Sequence, residues 1–146
     1  MSELILMGGG GHCRSAIDVI EAEGSRRIMG VLEDPAFEGS EVMGYPILGT
    51  DDALADLVGP GVGVLVTIGQ IKTSKTRERA FAVAKKAGAS LPVIVSPNAY
   101  WSRHATVGAG TMVMHGAVVN AACVVGENCI VNSMALLEHD LSLIHI

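Results

Sequence analysis

The sequence predicts an α/β domain with a parallel sheet covered by helices, followed by the first coils of a hexapeptide-repeat β-helix. Strand-like and helix-like segments alternate over the first 95 of the 146 residues, and beyond them the apolar residues recur with a period of six. The composition fits both parts, since 49% of the residues are hydrophobic, only 3% are aromatic and 18 are glycines. Such a chain has a core of aliphatic side chains joined by many tight turns.

The alternating segments have the lengths of ordinary strands and helices. Strands are predicted at 3–7, 27–34, 63–69 and 91–95, a short extended piece at 45–48, and helices at 13–23, 51–58 and 74–86. Gly24 and Gly88 follow two of these helices, and Thr50 stands where an N-cap is expected for the third. An alternation of this kind predicts a parallel sheet, and such sheets bind ligands at the carboxyl ends of their strands.

The second half of the chain carries a large apolar residue at every sixth position without interruption. These positions are Val95, Trp101, Val107, Val113, Val119, Val125, Val131, Leu137 and Leu143. Two positions before each member from Val107 to Leu137 stands a small residue: Ala105, Thr111, Ala117, Cys123, Cys129 and Ala135. A strand repeats every two residues and a helix every ~3.6, so neither gives a period of six. A hexapeptide β-helix does, with the large side chain inside a triangular prism and the small one at its corner.

The charge and the basic residues argue against a nucleic-acid surface. The formal net charge is −5, and a nucleic-acid interface needs clustered Lys and Arg. Basic residues do gather in "KTSKTRER" (72–79), but their helical spacing predicts a solvated helix face.

Several features that the sequence lacks also limit the class of protein. The sequence shows no secretory signal and no apolar run of about 20 residues, which a membrane span needs. The cysteines fit neither a disulfide framework nor zinc spacing, and His12, His104 and His115 lack the close spacing of a metal site. We therefore expect a reduced, cytoplasmic protein without a metal ion.

The loop "GGGGH" (8–12) joins the first strand to the first helix. Glycines allow the backbone to approach a phosphate or a sugar closely, and a helix N-terminus attracts anions. The loop also resembles a dinucleotide fingerprint, but that motif needs Gly or Ala where this chain has Cys13, or Arg14 in the shifted register. Under the dinucleotide interpretation, Glu33 and Asp34 after the second strand would suit a ribose.

A histidine stands between two acids in "EHD" (138–140). Leu137 belongs to the inward column, so Glu138 is expected to point outward and His139 to lie near the following corner. An imidazole titrating near neutrality is suited to deprotonate an attacking amine or hydroxyl, and a carboxylate on its other nitrogen fixes the tautomer. His139 is therefore the candidate general base.

The segments "MGGGGH" (7–12) and "NSMALLEHD" (132–140) together resemble the sugar acyltransferases of the NeuD/PglD type, over about residues 3–140. The resemblance implies a Rossmann-like domain that holds a sugar or nucleotide-sugar, followed by a left-handed β-helix that binds acetyl-CoA and forms a homotrimer. The implied activity is acetyl-CoA-dependent acetylation of a nucleotide-activated amino sugar or a sialic-acid-like sugar.

The resemblance also assigns site residues. It places Gly10, Gly11, His12 and Gly69 against the acceptor, together with the acid pair Glu33 and Asp34, where the family commonly has two aspartates. It favours Asp140 over Glu138 as the carboxylate partner of His139. No metal ion is implied.

The change of period predicts a division into residues 1–95 and 96–140, and the departure of "LSLIHI" from the family's continuation after "HD" implies that 141–146 is a non-native tail. The family's β-helix is longer, so we expect the chain as written to keep the acceptor-binding domain and to lack the acetyl-CoA site and acetyl transfer. Two alternatives stay open: a nucleotide (NAD)-binding oxidoreductase domain, which Cys13 disfavours, and a non-catalytic sugar-nucleotide-binding module.

Overall fold

A computed structural model describes residues 2–70 and 73–143 of the chain. Its N-terminal sheet consists of β1 (Ser2–Met7), β2 (Arg26–Leu32), β3 (Glu41–Val42), β4 (Tyr45–Gly49) and β5 (Val62–Val66). The strand order is β3-β4-β2-β1-β5, and all neighbours are parallel except β3 and β4. This is the Rossmann-like parallel sheet that the alternation predicts.

Helices cover both sides of the sheet. Successive side chains of β1 point to opposite sides, so each side has an apolar surface on which a helix packs. Leu4 and Leu6 face a cluster that includes α1 (Gly11–Glu23), whereas Ile5 and Met7 join the cluster of α2 (Leu54–Leu57) and α3 (Lys75–Lys86). Within the described residues, no helix is long and apolar enough to cross a membrane.

The remainder of the described chain is a left-handed β-helix of two-residue strands. These are β6 (Ile94–Val95), β7 (Tyr100–Trp101), β8 (Thr106–Val107), β9 (Met112–Val113), β10 (Val118–Val119), β11 (Val124–Val125), β12 (Ile130–Val131), β13 (Leu136–Leu137) and β14 (Ser142–Leu143). They form a first face (β6, β9, β12), a second face (β7, β10, β13) and a third face (β8, β11, β14). All pairings are parallel, as between Ile94, Met112 and Ile130, so the prediction of hexapeptide coils is confirmed.

Corners between the faces bring the backbone into the left-handed region at regular intervals. Positive φ recurs every six residues at Gly110, Gly116, Ala122, Asn128, Met134 and Asp140. The inward-pointing side chains form an apolar core between these corners, and Cys123 and Cys129 are fully buried members of that core. Interior packing therefore accounts for both thiols.

The main hydrophobic contact between the two parts of the molecule lies at α1. Its buried residues Ile17 and Ile20 belong to one apolar cluster with Met112 and Ile130 on the outer side of the first face. The β-helix is thus docked on the sheet domain through a hydrophobic contact. Burial of this kind stabilises by ~25 cal/mol per Å² of apolar surface removed from water.

Several predicted elements differ from the structure. The predicted strand 91–95 is wrong as part of the N-terminal sheet: only Ile94–Val95 is a strand, and it pairs with β9 of the β-helix. The predicted helix 51–58 consists of a 3₁₀ turn at Asp51–Ala53 followed by α2, and the side chain of Thr50 makes no capping hydrogen bond.

The predicted basic helix face is a further difference, whereas the origin of the predicted tail stays a prediction. Arg77 is only 1% exposed, so the solvated-face interpretation is wrong for this residue, whereas position 72 lies outside the described residues. Within 141–146, Ser142–Leu143 forms β14 and pairs in register with β11. Residues 144–146 lie outside the described part of the chain.

Candidate functional site

The glycine loop forms an open edge at the carboxyl end of β1. Gly8 has φ of 115°, and a Cβ there would lie 2.5 Å from Ile68 Cγ1, so this position requires glycine. The Gly9 N–H donates to Glu33 Oε2 at 2.5 Å, which ties the loop to the end of β2. Around Gly10 and Gly11, by contrast, a Cβ would meet no atom within 4 Å. The loop therefore leaves open space in front of the α1 N-terminus.

His12 lies in the first turn of α1 beside Gly69. A Cβ on Gly69 would lie 3.3 Å from His12 Cβ, so the two predicted site residues are neighbours. Burial, and secondarily the charge of Arg77, lower the pKa of His12 to about 4. Its Nε2 is buried and has no hydrogen-bond partner within residues 2–70 and 73–143. A neutral imidazole with an unpaired nitrogen can hydrogen-bond to a ligand that enters the loop.

A cavity of about 340 Å³ opens on the α3 side of the same strand ends. Its lining includes Gly8, Glu33, Asp34, Thr50, Asp51, Asp52, Thr76 and Arg79. Burial raises the pKa of Asp51, and the neighbouring carboxylates Glu33, Asp52 and Asp34 raise it further. The cavity is thus acidic, and it suits hydroxyl and N–H donors rather than phosphate.

The structure gathers the predicted acceptor residues into two adjoining groups. Gly10, Gly11, His12 and Gly69 form the loop side, Glu33 and Asp34 line the cavity, and the Gly9–Glu33 hydrogen bond joins them. Sequence reasoning missed Asp51, Asp52, Thr76 and Arg79 as cavity residues. Asp51 and Asp52 could have been predicted, because they lie just beyond Thr50 at the carboxyl end of β4.

His139 and Asp140 form the corner between the second and third faces of the β-helix. His139 Nδ1 and Asp140 Oδ2 are 2.9 Å apart, and the side chains are 72% and 75% exposed. The hydrogen bond to Asp140 raises the pKa of His139 most, and the negative charges of Asp140 and Glu138 raise it further. Because Nδ1 is engaged by the carboxylate, Nε2 is the nitrogen available to accept a proton.

The glycine loop and His139 are not brought together within one chain. The N-terminal domain packs on the first face, whereas His139 lies on the edge that the second and third faces share. This edge is the one of the prism's three edges that does not border the first face.

The other histidines do not form a metal site in the described residues. His115 Nδ1 is 2.6 Å from Ser96 Oγ and its Nε2 is 2.9 Å from Asp18 Oδ2, so it connects α1 to the corner beside the first face. Among residues 2–70 and 73–143, no group of three His, Cys, Asp or Glu side chains could hold a metal ion.

Comparisons with known proteins agree with both halves of this architecture. The PglD N-terminal domain family matches residues 3–82, and the bacterial transferase hexapeptide family (six repeats) matches residues 104–139. No curated protein sequence matches the chain.

Solved structures match over nearly the whole chain. The acetyltransferase domain of PglB from Neisseria gonorrhoeae is 31% identical with a TM-score of 0.85, covering 99% of this chain and 69% of that one. A histidine-to-asparagine variant of perosamine N-acetyltransferase from Caulobacter crescentus, in complex with CoA and GDP-perosamine, is 28% identical with a TM-score of 0.86, covering 97% and 65%. PerB from the same organism, with the same ligands, is 30% identical with a TM-score of 0.85, also covering 97% and 65%.

The chain thus spans about two thirds of the length of these solved chains. It matches them through its α/β domain and its hexapeptide coils alike. The chain belongs to the PglD-type sugar acetyltransferase family, in which a PglD N-terminal domain precedes bacterial transferase hexapeptide repeats.

Proposed function

We propose that this protein transfers an acetyl group from acetyl-CoA to the amine of a sugar that is linked to a nucleoside diphosphate. The observation that carries the proposal is the exposed His139–Asp140 pair on an edge of the hexapeptide prism, with 2.9 Å between Nδ1 and Oδ2. Complexes of similar proteins with CoA and GDP-perosamine support this substrate class.

The charge distribution suggests how the acceptor lies. The α1 N-terminus has no acidic residue in its first turn and no side-chain cap, so its N–H groups are open to the diphosphate at Gly10 and Gly11. The acidic cavity would repel phosphate, and its carboxylates Glu33, Asp34 and Asp51 suit the hydroxyl and N–H donors of the nucleoside. His12 Nε2 supplies one further hydrogen bond near the loop.

The transfer step requires a base and a thioester. The neutral amine attacks the acetyl carbonyl carbon while His139 Nε2 takes its proton, the C–N bond forms and the C–S bond breaks. The thiolate of CoA leaves and receives a proton from the imidazolium. Asp140 holds the tautomer in which Nδ1 carries a hydrogen, and it stabilises the imidazolium during the step.

Since His139 lies away from the N-terminal domain of its own chain, a second copy must supply the acceptor. Exposed apolar side chains on the outer sides of the second and third faces offer a contact surface, with Tyr100 58%, Leu136 57% and Val124 48% exposed. A homotrimer would bury these faces and bring the glycine loop of one copy towards His139 of another.

Replacing His139 by Asn tests the role of the base. Because Asn cannot accept the amine proton, we expect kcat of acetyl transfer to fall about 10²–10⁴-fold while the KM for the nucleotide-sugar changes little. The assay is run on the chain and on a version extended by further coils.

His104→Asn is the matched control, because His104 is an exposed corner histidine of the first coil whose side chain makes no hydrogen bond within the described residues. It should keep wild-type kcat. A His139→Asn protein with undiminished kcat would contradict the proposal.

A further inference from the structure

Arg77 is the largest charged side chain in the interior of the described chain, with 1% of its surface exposed. Its guanidinium faces no carboxylate there. It donates instead to the Val66 and Ile68 carbonyls from Nη1, at 3.3 and 2.6 Å, and to Asn128 O and Oδ1 from Nη2, at 2.9 and 2.6 Å. Asn128 Nδ2 donates back to the Arg77 carbonyl at 3.3 Å.

The acceptors of Arg77 belong to two different parts of the molecule. Val66 and Ile68 mark the carboxyl end of β5, whereas Asn128 is the corner between the third and first faces of the β-helix. A buried guanidinium is costly unless its donors are paired, and the four hydrogen bonds from Nη1 and Nη2 therefore hold this geometry. The β-helix corner and the end of β5 are therefore fixed to each other through one side chain.

The end of β5 in turn sets the shape of the glycine loop. Ile68 lies directly against Gly8, where a Cβ would meet its Cγ1 at 2.5 Å. The next residue, Gly69, lies against His12, whose Nε2 is buried without a partner. A shift of Ile68 would thus displace both Gly8 and His12.

We propose that Arg77 is a positioning residue that couples the β-helix to the acceptor loop, by holding the Ile68 carbonyl against the Asn128 corner. The proposal rests on the proposed function for the identity of the ligand. It predicts that a change in the β-helix, far from the loop, weakens the binding of a nucleotide-linked amino sugar.

Asn128→Gly is the discriminating variant. Asn128 has φ of 54°, which glycine adopts readily, so the corner is kept while the Oδ1 acceptor and the Nδ2 donor are removed. The matched control is Asp18→Asn, which weakens the polar contact between α1 and His115 of the β-helix without touching α3 or the end of β5. Arg77→Met provides the second arm of a double-mutant cycle.

Two readouts decide the inference. In calorimetric titration with GDP- and UDP-linked amino sugars, Asn128→Gly should raise Kd about 5–10-fold, and it should add nothing in the Arg77→Met background. In the ligand-free chain, the NMR resonances of the Gly69 amide and the His12 ring should shift in Asn128→Gly and stay in place in Asp18→Asn.

Unchanged resonances and an unchanged Kd in a folded Asn128→Gly protein would overturn the coupling. If Arg77→Met does not fold, the Kd and the resonances of Asn128→Gly alone decide whether the coupling exists. A wild-type chain that binds none of the nucleotide-sugars would refute the proposed function instead, and the resonances of the ligand-free variants would still decide the role of Arg77.

Discussion

At the scale of single residues, Asp140 has two roles that constrain each other. Its carboxylate engages His139 Nδ1, and its backbone occupies the left-handed corner with φ of 61°. Asp and Asn tolerate this conformation better than other residues with a side chain. The corner therefore admits the Asp140→Asn substitution with little strain, and this substitution separates the charge from the backbone geometry.

We predict that Asp140→Asn lowers kcat roughly 10- to 100-fold and moves the acidic limb of the pH profile to lower pH. The carboxylate raises the pKa of His139, and only the neutral imidazole acts as base, so activity falls as the pH drops through that pKa. Removing the charge lowers the pKa, and the fall then occurs at lower pH. The measurement is kcat/KM against pH, and an unmoved limb would contradict the assignment.

Residue chemistry was predictable where it depends on local spacing and not where it depends on distant contacts. The six-residue period predicts that Leu137 points inward, and it therefore also predicts that His139 lies at an exposed corner with Asp140 beside it. Arg77 stands in a basic run that favours solvent exposure, and its burial depends on an Asn128 corner that is 51 residues away. No local pattern contains that information.

At the scale of elements, the β-helix is built from strands too short to be stable alone. Each two-residue strand is held by the coils before and after it, as Val118 is between Tyr100 and Leu136. Stability therefore depends on close stacking of successive coils. Gly108 and Gly126 stand 18 residues apart, and the structure stacks them in direct contact.

We predict that Gly108→Ala destabilises the protein by about 1–3 kcal/mol, which lowers Tm by roughly 2–12 °C in a chain of this size. A Cβ at this position would lie 2.6 Å from Gly126 C and Glu127 N, and backbone atoms cannot move aside as a flexible side chain can. Thermal unfolding followed by circular dichroism measures the change. Gly59→Ala, where a Cβ would meet nothing within 4 Å, is the control. Equal Tm values for the two variants would refute the stacking argument.

The order and type of the main elements were predictable from periodicity, whereas several boundaries and the sheet that the junction strand joins were not. The segment 91–95 has the composition of a buried strand, yet only Ile94–Val95 pairs, and its partner lies in the β-helix. Apolar character identifies a strand but not the sheet that it joins. The start of α1 at Gly11, two residues before the predicted 13, follows from the loop turning directly into the helix.

At the scale of the whole molecule, the docking of the two domains separates the two candidate sites. α1 covers the first face, and the His139 corner lies between the other two faces. The proposed reaction therefore needs an acceptor loop and a His139 from different copies.

We predict that two inactive variants restore activity when they are produced together. Gly10→Asp keeps a good helix N-cap but places a negative charge where the diphosphate is expected, and His139→Asn removes the base. In a mixed homotrimer, about a quarter of the sites would combine an intact loop with an intact His139. Acetyl transfer by the co-produced mixture is the measurement. A mixture as inactive as its components would contradict catalysis between copies.

The most direct test of the central claim is calorimetric titration of the chain with GDP- and UDP-linked amino sugars and, separately, with NAD. We predict saturable binding of at least one nucleotide-sugar, its loss in Gly10→Asp, and no binding of NAD. Tight binding of NAD without any response to the nucleotide-sugars would contradict the account and would identify the glycine loop as a dinucleotide site.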